Sequence, residues 1–307
     1  MTSTMTFKES ILHLQSQGCS YHFMFEYFKW VVTKELSEAE FNAQLIHQLV
    51  SEVATLVEHR RIKVPKLNQL LLAYLNDLPT IKYLADQCFM IGDLVYPSNW
   101  LQLTQPPLLI FYDGDLSSLK KPAISIVGTR AISPYGREVV NQLITSFVEK
   151  DWLSVSGLAK GVDTAVHLKA SQLKTGSTVG ILANGFQFVY PFENANLQAR
   201  MSREQLLLSE YLPNEKAQPH QFVMRNRLVA GLSSATIVIE AAKDSGSLIT
   251  ANYALQNNRE LFVLPGRITD SQAYGCNSLL QVGAIPIVSI EECVAELEAL
   301  LISIGVI

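Results

Sequence analysis

The sequence is short of the features that announce most enzymes. No Gly-x-x-x-x-Gly-Lys-Ser/Thr loop is present, which argues against ATP hydrolysis of that kind. There is no His-Glu-x-x-His helix for zinc and no Gly-x-Ser-x-Gly elbow for a serine nucleophile. Cysteine is scarce: Cys19, Cys88, Cys276 and Cys293 stand apart with no Cys-x-x-Cys pair. That excludes a familiar zinc or disulfide framework and fits reduced thiols in a cytoplasm. No apolar run reaches the roughly 18–20 residues of a membrane span. The opening "MTSTMTFKESILHLQSQG" lacks the basic and apolar regions of a secretory signal. Charge is also sparse, at 17% of residues and a net −4, so the chain is not basic overall. A polyanion would have to be held by a local cationic groove.

What is present divides into two textures. Up to about Gln102 the pattern is helical. Phe41, Leu45, Leu49, Val53, Leu56 and Val57 recur near helical spacing, as do Leu67, Leu70, Leu71, Tyr74 and Leu75 behind Pro65. The aromatic run "YHFMFEYFKW" reads as helix core, with a stacking surface as the alternative. Pro97, Pro106 and Pro107 then interrupt the helical pattern. Beyond them come short apolar runs: "LLIFY", "AISIVG", "LSVSG", "STVGILA", "LLLSEY", "ATIVIEA", "ELFVLPG" and "AIPIVS". Amphipathic stretches follow most of them. Apolar strands alternating with helices mean a parallel sheet covered on both faces. The expected fold is therefore α/β: an extended, Rossmann-like, doubly wound and mostly parallel sheet, preceded by a small all-helical domain. We place the helical domain at 1–95 and the sheet domain at 96–307.

Ligands of such sheets bind beyond the carboxyl ends of the strands, so candidate residues are those just after each apolar run. Gly128-Thr129-Arg130 offers close backbone approach, a hydroxyl and a planar cation suited to phosphate. The alternative is a tight turn whose arginine pairs with a carboxylate. Ser156-Gly157 and Gly161 repeat the small-residue turn, with Lys160 beside them and Asp163 able to cap the next helix. Asp151 also lies nearby in sequence. Phe186, Phe188, Tyr190 and Phe192 share a loop stiffened by Pro191; at most one of these rings is expected to be exposed for stacking, and Phe192 is the candidate. Arg225, Asn226 and Arg227 stand just ahead of an apolar helical run. Ser247 and Thr250 open another helix, and Gly266 and Gly275 are simplest as turn formers.

In order, "SIVGTRAISPYG", "VSGLAKGVDTAVH", "STVGILANGFQFVYPFENANL", "LLLSEY", "FVMRNRLVAGLS", "GSLITANYALQNNRELFVLPG" and "GCNSLLQVGA" resemble the DNA-processing protein A (DprA or Smf) family. The resemblance runs from about Tyr96 to Ser289. It implies a protein of natural transformation that binds and protects incoming single-stranded DNA, loads RecA recombinase on it, and forms a homodimer through the Rossmann-like domain. No catalytic residue, cofactor or metal is implied, and no membrane. Carried over by motif, the DNA-binding residues are Gly128 and Arg130; Ser156, Gly157, Ala159 and Gly161; and Arg225, Asn226 and Arg227. Two departures stand out. The family's usual Phe-Pro-x-Arg-Asn-Arg reads Phe222-Val223-Met224-Arg225 here, and its frequent lysine after Tyr-Pro is missing. The missing lysine weakens the DNA groove on one side or moves the contact to the nearest basic residues, Arg200 or Arg203, with Arg200 taken as the DNA-binding candidate.

Two other readings give different expectations. A nucleotide hydrolase on a related sheet would use Asp163, His167 and Glu240 as acid–base groups. Asp163 and His167 lie one helical turn apart and are most simply a hydrogen-bonded structural pair. Alternatively, the helical N-terminal part is a protein-interaction module that supplies most of the specificity.

Overall fold

The computed structural model describes residues 4–37, 39–60 and 62–307, which fall in two compact units, Met1–Ile91 and Gly92–Ile307. The first unit contains α1 (Phe7–Ser16), α2 (Tyr21–Thr33), α3 (Ala43–Val57) and α4 (Leu67–Ala85). Each of the first three helices starts where a side chain satisfies a free amide. Thr6 and Glu9 form a reciprocal capping box, Ser20 accepts from Phe23 N, and Asn42 accepts from Leu45 N. Phe23, Tyr27, Phe41, Val50 and Val53 are buried, and the Phe7 ring stacks on Phe28 and Phe41. Of the aromatic run, Phe23 and Tyr27 are core, while Tyr21, Phe25, Phe28 and Trp30 are half-buried. The side chains of Leu67, Leu71 and Leu75 lie outside the described residues. One expectation needs adjusting: the unit is helical except for the three-residue strand β1 (Cys88–Met90) and an isolated bridge between Met5 and Phe41. Three residues are too few to display a period of two.

The second unit follows the predicted alternation. In chain order it runs β2 (Leu109–Gly114), β3 (Ala123–Val127), α5 (Pro134–Glu149), β4 (Leu153–Ser156), α6 (Val162–Gln172), β5 (Ser177–Leu182), α7 (Ala195–Glu204) and β6 (Leu206–Ser209). It continues with α8 (Pro219–Leu232), β7 (Ala235–Val238), α9 (Gly246–Gln256), β8 (Glu260–Val263), α10 (Tyr274–Gln281), β9 (Ile285–Pro286) and α11 (Ile290–Ser303). The strand order within this unit is β2-β6-β5-β4-β3-β7-β8-β9. β2 is antiparallel to β6, and the other pairings are parallel. The chain builds outward from β3 in one direction, then returns through α8 and builds from β7 in the other. The switch point therefore lies between β3 and β7, where doubly wound sheets open a crevice.

Alternate residues of β3 serve opposite faces. Ile124 and Ile126 pack with Val140, Leu143 and Phe147 of α5 and with Leu297 of α11. On the other face Ser125 donates to Val229 O of α8 at 2.6 Å. Its small side chain lets that helix lie close, so α8 reaches the carboxyl ends of the central strands.

Candidate nucleic-acid interface

A cavity of about 710 Å³ opens at the switch point. Gly128, Thr129 and Arg130 line it from the end of β3, and Gly157 and Ala159 from the end of β4. Arg225 and Asn226 reach it from α8, and Ser245, Gly246, Ser247 and Thr250 from the start of α9.

The β3 turn is fixed by long-range contacts. Thr129 N donates to Glu240 O (2.7 Å), and Val162 N donates to Thr129 O (3.1 Å). Gly161 has φ +81, and a Cβ there would overlap the Thr129 carbonyl and come within 2.6 Å of Arg130 C. Only glycine fits both the left-handed backbone and the contact. Thr129 Oγ1 donates to Gln272 Oε1 (2.8 Å) and accepts from Ala131 N (3.1 Å). These bonds leave Arg130 exposed at the mouth. It forms no ion pair with a carboxylate among the described residues.

The floor is built around Gly157. A Cβ on it would stand 2.5 Å from Arg225 Nη1 and collide with the Asp163 carboxylate. The missing side chain is the space those two groups occupy. Arg225 is only 7% exposed; Nη1 donates to Ile181 O, and Nε donates to Asn226 Oδ1 (3.1 Å). Asp163 accepts from Ala159 N (3.2 Å). Burial pushes the Asp163 carboxyl up, while the guanidiniums of Arg225 and then Arg130 oppose that shift. Burial also lowers Arg225, with Asp163 holding against it. An arginine stays charged in this setting. Asn226 Nδ2 donates to Gly246 O (3.3 Å), joining the floor to the start of α9. There Ser245 caps the helix by accepting from Ser247 N (3.4 Å). The lining thus offers two guanidiniums, Lys243, hydroxyls and the amides of a helix start, against the carboxylates of Asp163 and Asp244. This is a setting for phosphate.

Other sequence candidates lie elsewhere. Arg227 does not line the cavity. It is 5% exposed, and its Nη2 contacts both oxygens of Glu210 at 2.6 Å. Arg225–Arg227 do not stand ahead of the helix as expected: α8 starts at Pro219 behind a Gln218/Gln221 capping box. Residues two apart within a helix point to different sides, so Arg225 and Arg227 are separated. Lys160 and Gly161 also stay outside the lining, and Lys160 forms an exposed ion pair with Glu193. Ser156 is buried and donates to Ile126 O (2.7 Å). Arg200 binds Ser171 O and Glu204 (2.7 Å). Two loop aromatics are exposed rather than one: Phe192 at 82% and Tyr190 at 43%. Tyr190 packs on Phe222, whose ring lines the cavity. Asp151 precedes β4 at the opposite end of the strand, paired with Lys121 (2.7 Å).

The acid–base candidates do not assemble. His167 does not pair with Asp163: Nε2 contacts Gly157 O, and Nδ1 contacts Thr178 Oγ1 at 2.8 Å. Burial pushes His167 down to about 4. The Glu240 carboxylate is taken by Ser133 N (2.9 Å) and Ser133 Oγ. Among the described residues no cluster of side chains is suited to a metal ion, and no helix is long and apolar enough to cross a membrane. Lys243, Gln272 and Tyr274 also line the cavity, beyond the residues expected from the sequence. Their only sequence signal is that they lie in, or at the end of, the longer loops after β7 and β8.

A family description, DNA recombination-mediator protein A, matches residues 87–298. The chain is 41% identical over 238 residues to DNA processing protein DprA of Bacillus subtilis, covering 76% of each. It is 40% identical over 210 residues to the Streptococcus pneumoniae DprA, covering 68% of this chain and 74% of that one. The X-ray structure of DprA from Streptococcus pneumoniae superposes with a TM-score of 0.81 at 31% identity, over 95% of this chain and 99% of that one. The structure of DNA processing protein A from Helicobacter pylori, solved for its single-stranded DNA binding mode, gives 0.63 at 30% identity, over 69% and 96%.

Proposed function

The chain belongs to the DNA recombination-mediator protein A family, and from that membership and the cavity we propose that it binds single-stranded DNA at the switch point. The observation that carries this reading is the convergence of Arg130 and Arg225, 95 positions apart in sequence, on one cavity. Arg130 stands at the mouth to take a phosphate from solvent. Arg225 is held under the floor as a fixed positive charge, and the α9 start presents amides to a second oxygen. A base that is unpaired can turn into the cavity, whereas a base in a duplex cannot. Phosphate contacts position a strand without reading its sequence, so little base preference follows. Phe222, backed by Tyr190, and exposed Val223 give an apolar wall for a base.

In this proposal the protein shields incoming strands during natural transformation, in the cytoplasm. It hands them to RecA recombinase and acts as a homodimer through the Rossmann-like unit. It has no cofactor and performs no bond-breaking step. Gel shifts with single- and double-stranded oligonucleotides at two salt concentrations test the binding. Wild type should retain single strands preferentially, with affinity falling as salt rises. Equal retention of both forms would contradict the proposal.

A further inference from the structure

Resting on the reading of the cavity as a single-strand site, we propose that the strand continues over the rim into a second cleft, where Tyr135 and Arg267 hold a neighbouring nucleotide. This cleft, of about 770 Å³, lies at the carboxyl ends of β7 and β8, on the α5 side. It is lined by the same two loops as the first cavity, at different residues. Thr129 and Gln272, joined by their 2.8 Å hydrogen bond, face the first. Ser133 and Asp270, a few residues along the same two loops, face the second. Arg130, exposed on the β3–α5 loop, lines the first cavity three residues before Ser133.

The chemistry of the second cleft suits a nucleotide. Leu264 and Pro265 line an apolar side, and the ring of Tyr135, 54% exposed, stands at its edge as a surface for a base. Arg267 is exposed and makes no ion pair among the described residues. The cleft also holds two carboxylates, each with part of its acceptor capacity taken by a loop residue. Glu240 accepts from Ser133, and Asp270 accepts from Gln272 N at 2.9 Å. The occupant assigned is the same polyanion, reaching the cleft by continuity along the loops that line both cavities, with Arg267 as its one cationic contact there.

The test is fluorescence anisotropy of the full chain with labelled oligothymidylates of about 4 and about 16 nucleotides, the range single-strand folds cover. Arg267→Ala and Tyr135→Ala should bind the short strand within about twofold of wild type and the long strand about tenfold more weakly. Arg267→Ala should also flatten the salt dependence by about 0.7 in log–log slope, on the long strand only. Tyr135→Phe should behave as wild type. Both side chains are exposed, so unchanged thermal unfolding certifies the fold. Wild-type affinity of both alanine variants on the long strand, or equal loss on both strands, overturns the second cleft while Arg130→Ala still weakens both. If Arg130→Ala itself binds both strands normally, the reading beneath the inference falls instead.

Discussion

Replacing Arg225 by Met separates the two tasks its guanidinium performs. Asp163 and Arg225 are each 7% exposed and both lie against Gly157, close enough to interact electrostatically without a direct salt bridge. Met fills similar volume but removes the charge, leaving a buried carboxylate whose remaining protein donor includes Ala159 N. Breaking a buried pair in this way costs about 3–5 kcal/mol, or about 6–20 °C in Tm for a unit of this size. The lower end is expected, because no direct salt bridge joins the two groups. The pH dependence has a definite sign. Burial already raises Asp163, and Arg225 opposes it. Without Arg225 the carboxyl in the folded state rises further above its unfolded value. The variant should therefore regain stability relative to wild type as pH falls and lose it as pH rises through the folded pKa. Arg225→Met with Asp163→Asn removes both charges and should recover most of the Tm, yet still bind DNA weakly. Thermal unfolding by circular dichroism and anisotropy on the same samples read the two effects. No recovery in the double variant would refute the pairing, and wild-type DNA affinity in it would refute the role of Arg225.

The remaining predictions concern groups at increasing distance from the strand. His167, pushed down to about 4 from an ordinary 6.5, contributes stability above pH 6.5 that is lost as pH falls toward 4; about 3 kcal/mol should disappear across that window, and His167→Gln should flatten the curve in chemical denaturation. Glu193→Gln releases Lys160 from its exposed ion pair outside the cavity lining; if the proposed strand passes Lys160, binding should tighten modestly at low salt and lose that gain at high salt. Arg227→Met should lower stability by about 3 kcal/mol through loss of its buried ion pair with Glu210, while DNA affinity of the folded protein stays within about twofold of wild type.

Much of the sheet could be read from the sequence because its strands are buried on both faces. Runs such as "AISIV" and "ATIVIE" are continuous apolar blocks for that reason, and β3 and β7 appear where those blocks stand. Strand ends then locate the rim, so Gly128, Arg130 and Ser247 could be named in advance. The family resemblance rested on the same turns and is borne out by the match over residues 87–298. Side-chain direction was harder. Arg225 and Arg227 look equivalent until Pro219 is recognised as the helix start, after which their separation follows from helical geometry. His167 lies at the right spacing for Asp163, but the carbonyl of Gly157 and the hydroxyl of Thr178 claim it. The Thr129–Gln272 bond joins residues 143 positions apart, and no local pattern announces such a contact.

The central claim is that Arg130 neutralises a phosphate of single-stranded DNA at the mouth of the switch-point cavity. Its most direct test is the slope of log affinity against log salt for wild type and Arg130→Ala on one oligothymidylate. Weaker binding with a slope shallower by about 0.7 is the predicted result. Identical affinity and slope in the two proteins would contradict it.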